Sequence, residues 1–88
     1  MASTIEPPGR AIDEVADELI RALHRHAPMA SAHEGYAVIL EELDELWAEV
    51  KKRSDRRSRS AMRAEACQVA AMAIRFMLEV TPPESAHA

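Results

Sequence analysis

The sequence predicts an all-α protein, a small bundle of about three helices that homodimerisation completes. Apolar residues recur at helical spacing along most of the chain, which is typical of amphipathic helices. No run alternates β-branched with polar residues, and only two of the 88 residues are glycine. A segment near the C-terminus is apolar on all sides, so we expect a second chain to cover it.

The chain length allows one small domain. We expect a flexible arm at residues 1–9, a single helical domain at 10–80 with a basic connector at 51–60, and a flexible tail at 81–88. The single cysteine excludes an internal disulfide and fits a reducing compartment. No apolar run is long enough for a membrane span and no secretory signal opens the chain, so we expect a cytoplasmic protein without membrane contact.

Two helices are expected before the connector. The first runs from about Arg10 to His26, and Pro28 prevents it from continuing. The second runs from about His33 to Lys52. Ser31 is suited to be its N-cap, with Glu34 three residues later as the partner in a capping box.

The second helix has two faces when its residues are placed at ~100° steps. One is an apolar stripe about 120° wide, which predicts core packing. Its members are Tyr36, Ile39, Leu40, Leu43, Leu46, Trp47 and Val50. The other is acidic and is either a solvated face or part of a metal site. Its members are Glu34, Glu41, Glu42, Glu45 and Glu49.

The third helix, from about Ala61 to Val80, contains few polar residues. Between residues 66 and 78 the strongly polar side chains are Gln68 and Arg75. Such a helix must be covered all round, so we expect a two-fold homodimer, or a tetramer, with this helix at or near the interface. Arg75 either binds a phosphate or pairs with an acid of a neighbouring helix.

The connector between the second and third helices is strongly basic. Residues 51–63 hold seven basic side chains and one acid, Asp55, in a chain whose net charge is −4. The segment is either a solvated loop or an electropositive arm that meets phosphate groups. Nucleic acid is the less favoured partner because the segment has no aromatic residues for base stacking, and the rest of the chain is acidic.

Acidic and amide side chains at matching spacings predict a ligand set between two helices. Glu42 and Glu45 are three residues apart on the second helix, and Glu65 and Gln68 repeat this spacing on the third. Antiparallel pairing of the two helices would place the pairs opposite each other. Several oxygen ligands at one point suit a hard divalent cation such as Mg²⁺.

These two motifs resemble those of a known family. Glu41-Glu42-Leu-Asp-Glu45, followed after the connector by Glu65-Ala-Cys-Gln68, resembles the EExxE…ExxD pattern of the MazG-like all-α nucleoside triphosphate pyrophosphohydrolases. The resemblance extends over residues 30–78. It implies an enzyme that uses Mg²⁺, with Mn²⁺ as a substitute, to cleave an NTP or dNTP into a nucleoside monophosphate and pyrophosphate.

The resemblance also implies residue roles. Glu42, Glu45 and Glu65 would be the catalytic metal ligands, with Glu41 as a further acid of the site. Gln68 stands where the family has Asp, so it offers a carbonyl oxygen without charge, which would weaken metal binding and activity. The alternative is therefore a catalytically impaired module that binds a nucleotide, nucleic acid or protein. The residues proposed to contact substrate phosphates are Arg75, Lys52 and Arg63.

Overall fold

The computed structural model describes residues 5–84 of the chain. Within this range it consists of three α-helices, α1 (Pro8–Arg25), α2 (Ala32–Val50) and α3 (Arg59–Glu79), with a short 3₁₀ turn at Ser54–Arg56 and no strand. The expected all-α, three-helix architecture is confirmed. The predicted arm and tail fall partly at residues 1–4 and 85–88, outside the described residues.

The helix ends differ slightly from those predicted. α1 begins at Pro8, two residues before the predicted start, because a proline in the first turn needs no amide hydrogen and its φ already suits a helix. The N-cap of α2 is Ser31 as predicted, and its hydroxyl accepts the Glu34 amide at 3.1 Å. The Glu34 carboxylate reaches back to the amide of Ala30 at 3.2 Å.

The connector is ordered by its own polar groups. The Arg57 guanidinium donates to the carbonyl oxygens of Val50 and Lys52, at 2.8 and 3.1 Å, and so satisfies acceptors that the end of α2 leaves free. Ser58 then caps α3 by accepting the Ala61 amide at 3.1 Å. All residues from 51 to 60 are exposed.

Helix α3 is the central element of the fold. It packs against both α1 and α2, whereas α1 and α2 do not pack against each other within the described range. Gly35 lies against Phe76, and Glu42 lies near Glu65, so α2 and α3 run antiparallel. Helix α3 therefore has a high apolar content partly because it packs against one helix on each of two sides.

The core is small. Its buried apolar residues are Ala22 of α1, Ala71 and Met72 of α3, and Met29 of the connection between α1 and α2. Around the first three pack the partly buried side chains Val15, Leu19, Val38 and Ile39. None of the helices in residues 5–84 combines the length and the apolar character that crossing a bilayer requires.

Gly35 is a position where α2 and α3 approach each other closely, and its substitution tests this packing. A Cβ at Gly35 would lie 2.5 Å from Cδ2 of Phe76 and 3.1 Å from the sulfur of Met29. We expect Gly35→Ala to lower the free energy of unfolding by about 1–3 kcal/mol because the Phe76 ring must move. Urea denaturation would measure this.

Gly9→Ala in the first turn of α1 is the matched control, since no heavy atom lies within 4 Å of the added carbon. It should leave stability unchanged or raise it slightly, because alanine favours a helix more than glycine does. Equal effects of the two substitutions would contradict the close approach of α2 to α3 at Gly35.

Candidate metal centre

Three carboxylates converge between α2 and α3. Glu42 and Glu45 extend from one face of α2, and Glu65 extends from the facing side of α3. One ligand oxygen from each of the three lies within 4.8 Å of the others. These are the three residues that the motif resemblance singles out as metal ligands. Glu45 is exposed, whereas Glu42 and Glu65 are half-buried, so the cluster lies at the edge of the helix–helix interface.

The three carboxylates repel one another electrostatically. Burial, together with the hydrogen bond and charge of Glu45, raises the pKa of Glu42 to about 7. Burial and the charge of Glu45 also raise the pKa of Glu65 above its ordinary value. Glu42 and Glu65 thus hold a proton more tightly than an ordinary glutamate does, and a divalent cation would supply positive charge in place of these protons.

Glu65 also has an unsatisfied oxygen. Its Oε2 atom is buried and has no hydrogen-bond partner within the described part of the chain. A buried carboxylate oxygen without a partner is unfavourable unless another group compensates for its lost hydration. The orphaned oxygen in a group of three carboxylates fits a hard cation with oxygen ligands, such as Mg²⁺ or Mn²⁺.

Gln68 meets a different neighbouring helix from the one that Glu65 meets. Its side-chain amide interacts with the Glu18 carboxylate of α1, and this interaction is the main cause of the lowered pKa of Glu18. Arg21, at 2.8 Å from Glu18, lowers that pKa further. In this structure Gln68 thus faces α1, while Glu65, one turn earlier, faces α2. The metal-ligand role of Gln68 stays a prediction.

A cavity of about 340 Å³ adjoins the carboxylate cluster. Glu41 and Glu42 line it from α2, and Met72 and Arg75 line it from α3. The connection after α1 contributes His26 to the lining, a residue to which the sequence pattern assigned no role. No spacing signal marks His26, because it reaches the cavity only through the chain turn between α1 and α2.

Arg75 is buried beside this cavity, with 4% of its surface exposed. Its Nη2 donates to the Ala27 carbonyl at 3.2 Å and to Glu79 at 3.0 Å. The acid that pairs with it, Glu79, thus belongs to its own helix, whereas the sequence analysis offered an acid of a neighbouring helix as one of two alternatives. Nη1 of Arg75 contacts the Met72 sulfur at 3.6 Å.

The other two basic residues proposed to contact phosphate are paired with acids on the surface. Lys52 lies 2.8 Å from Glu49. The Nε of Arg63 donates to Glu14 of α1 at 2.8 Å, and its remaining nitrogens contact Glu6. To bind a phosphate, either residue would have to release the carboxylate that it contacts. The proposed phosphate-binding roles of both residues therefore stay predictions.

Comparisons with protein-family profiles, curated proteins and solved structures find no match for this chain. The resemblance to the MazG-like family therefore depends on the residues of the two motifs. The all-helical fold and the carboxylate cluster define a candidate metal-binding helical protein, and the reaction must be inferred from the site.

Proposed function

We propose that this chain is a Mg²⁺-dependent nucleotide pyrophosphohydrolase. It would cleave an NTP or dNTP between the α- and β-phosphates and release a nucleoside monophosphate and pyrophosphate. The main supporting observation is the convergence of Glu42, Glu45 and Glu65, with ligand oxygens within 4.8 Å of one another. Three carboxylates with an orphaned buried oxygen are a suitable donor set for Mg²⁺.

Each part of the site has a distinct proposed role. Glu42, Glu45 and Glu65 would hold the metal ion, which when bound polarises phosphoryl oxygens and lowers the pKa of a coordinated water. Glu41 lines the adjoining cavity, where its carboxylate can orient water. Arg75 lines the same cavity and carries a permanent positive charge suited to a phosphate.

One observation favours the second candidate, a module that binds nucleotide without turnover. Gln68 stands where the family pattern has Asp and interacts with Glu18 of α1, so the cluster contains three carboxylates and receives no charge from that position. A site with less negative charge binds Mg²⁺ more weakly and holds a second metal ion less readily. This candidate predicts nucleotide binding without pyrophosphate release.

Pyrophosphate release from a panel of NTPs and dNTPs tests the proposal. We expect release from at least one nucleotide with Mg²⁺ or Mn²⁺, and Glu65→Gln should slow it by about a hundredfold because the glutamine brings no charge to the metal. Calorimetric titration with Mg²⁺ alone should show a parallel loss of affinity. No pyrophosphate from any nucleotide would contradict the enzymatic proposal.

Asp44→Asn is the matched control for Glu65→Gln. Asp44 is an exposed acid of α2, so its replacement changes the net charge equally. It lies outside the carboxylate cluster, and we expect less than a threefold change in rate and in Mg²⁺ affinity. Equal losses in the two variants would point to a general charge effect and against a specific metal centre.

A further inference from the structure

Trp47 is exposed near the C-terminal end of α2. The sequence predicts it in the core, but 58% of its surface is exposed, so that prediction is wrong for the single chain. Lys51 follows one turn later, and its amide donates to the Trp47 carbonyl at 2.8 Å. Side chains of a helix lean toward its N-terminus, so Lys51 extends over the turn that carries Trp47. An exposed aromatic side chain therefore adjoins the first residue of the basic connector.

Four cations of the connector have no carboxylate partner within residues 5–84. Lys52 pairs with Glu49 and Arg53 pairs with Asp55, which leaves the other basic side chains of the connector unpaired. The unpaired cations are Lys51, Arg56, Arg57 and Arg59. A paired cation must release its carboxylate before it can bind a phosphate, whereas these four can bind one directly.

The connector holds its positive charge against the end of α2. The Nε of Arg57 donates to the carbonyl oxygens of Val50 and Lys52, which draws the chain back onto the last turn of the helix. Every residue from 51 to 60 is exposed, so the cations lie in contact with solvent. The positive charge is therefore gathered beside the helical turn that carries Trp47.

An exposed aromatic side chain beside unpaired cations suits single-stranded nucleic acid. The cations contact phosphates, and the flat side chain stacks on an unpaired base. The sequence disfavours nucleic acid because the basic segment contains no aromatic residue, but the fold supplies Trp47 from the adjoining helix. An anionic bilayer fits less well, because its broad surface would also cover Asp44, an exposed acid three residues before Trp47.

We propose that Trp47 and the basic connector form a binding surface for single-stranded nucleic acid. Trp47 stacks on one unpaired base, and the four unpaired cations contact the neighbouring phosphates. The bases of a duplex are already stacked on one another and offer Trp47 no free face. The acidic remainder of the chain repels phosphates and so confines the contact to this end of the molecule. This proposal does not depend on the enzymatic activity.

Titration of the native chain with oligo(U) and oligo(dT) of about twelve nucleotides tests the proposal. Trp47 is the only tryptophan, and we expect both strands to quench its fluorescence at micromolar concentration in about 50 mM salt. A plot of log affinity against log salt concentration should have a slope of about −3, because four cations contact a single strand. Tighter binding of oligo(U) would assign the surface to RNA, and tighter binding of oligo(dT) to DNA. No quenching at ~100 μM strand, or equal affinity for a duplex, would overturn the proposal.

A matched pair of aromatic substitutions locates the stacked base. Trp47→Leu should weaken strand binding about tenfold, as expected for the loss of one stacked base. Tyr36→Leu also replaces an exposed aromatic residue of α2, 65% exposed, but one that lies ~16 Å further from the connector along the helix. It should weaken binding less than twofold. The fluorescence anisotropy of a labelled strand measures both variants, and equal effects would overturn the proposal.

A second pair tests the cations of the connector. Arg56→Gln should make the salt slope shallower by about 0.7, the contribution of one phosphate contact on a single strand. Arg25→Gln removes an exposed cation at the end of α1, outside the connector, and should leave the slope unchanged. Inorganic polyphosphate has no bases, so it should bind the native chain and Trp47→Leu equally. Tighter binding to phosphatidylserine vesicles than to either strand, or equal slopes in the two arginine variants, would overturn the proposal.

Discussion

Glu42→Gln is expected to stabilise the metal-free protein above pH 7 and to abolish its stabilisation by Mg²⁺. The two effects share one cause, the crowding of Glu42 by Glu45 and Glu65. Burial and these neighbouring carboxylates raise the pKa of Glu42 to about 7, so its charged form is unfavourable in the folded chain. Glutamine removes that charge and retains the shape.

The pH dependence of this effect has a definite sign. The unfolded chain titrates Glu42 near its ordinary pKa of 4.5, whereas the folded chain titrates it near 7. Between these values the folded state binds more protons, so the free energy of unfolding decreases as the pH rises. The contribution of protonated Glu42 is present in full below pH 4.5 and is lost as the pH rises through about 7.

Water reaches part of the Glu42 carboxyl and screens its repulsion by the neighbouring carboxylates. We therefore expect Glu42→Gln to raise the free energy of unfolding by about 1–2 kcal/mol at pH 8. Urea denaturation at pH 4.5 and pH 8 would measure this, with no gain expected at the lower pH. Repeating the pH 8 measurement with 10 mM Mg²⁺ should stabilise the wild type and leave the variant unchanged.

Asp44→Asn is again the control, because it removes an exposed acid of α2 outside the cluster. It should change stability by less than about 0.5 kcal/mol at either pH. If Glu42→Gln gave no gain at pH 8, the three carboxylates would not be crowded as the structure shows. If Mg²⁺ stabilised the variant as much as the wild type, Glu42 would not be a ligand.

Much of the helical architecture could be predicted from the sequence because it depends on local signals. Pro28 marks the end of the first helix, and Ser31 with Glu34 marks the start of the second. The convergence of Glu42 and Glu45 with Glu65 also follows from local spacing, once the connector forces α2 and α3 to pair antiparallel. These features can be predicted without knowing where the remaining helix lies.

The direction of Gln68 could not be predicted in this way. Residues three apart on a helix differ by ~60° in direction, which is enough to separate two neighbours when a helix is packed on both sides. Glu65 meets α2 and Gln68 meets Glu18 of α1 because α3 lies between these helices. The sequence gives the angle between the two side chains but not the positions of the surrounding helices.

The apolar stripe of α2 is only partly buried, and the sequence could not show this because it does not give the positions of the neighbouring helices. Periodicity shows that Ile39 and Trp47 share a broad apolar band, but it does not show how much of that band one neighbour covers. The structure gives α2 one intramolecular neighbour, so Ile39 is partly buried and Trp47 is left exposed. A stripe wider than one helix can cover fits the predicted homodimer, which stays a prediction.

Arg75→Ala is expected to be the most destabilising single substitution in the chain, by about 3–5 kcal/mol. The side chains of Arg75 and Glu79 are 4% and 10% exposed, and they lie 3.0 Å apart. Burial by itself would raise the pKa of Glu79, but its bonds to Arg75 and to the Met29 amide outweigh this and lower it. Alanine would leave that charge buried and unpaired, which a domain with so small a core cannot tolerate.

The same pair connects three parts of the fold. Arg75 donates to the Ala27 carbonyl, and Glu79 accepts the Met29 amide at 2.9 Å, so together they hold the turn between α1 and α2 against α3. Thermal denaturation should show the stability lost in Arg75→Ala. Arg21→Ala is the matched control, because its pair with Glu18 is exposed on the arginine side and should contribute less than about 1 kcal/mol. Similar losses in the two variants would argue against a buried pair.

A double variant separates the structural role of Arg75 from its proposed role in binding phosphate. Arg75→Met with Glu79→Leu removes both charges together, and such replacements of a buried pair are often neutral or stabilising. We therefore expect most of the stability lost in Arg75→Ala to return. If the Arg75 guanidinium binds a substrate phosphate in the cavity beside Glu42, the double variant should fold but bind nucleotide at least tenfold more weakly. Unchanged nucleotide binding in a folded double variant would restrict Arg75 to holding the turn between α1 and α2 against α3.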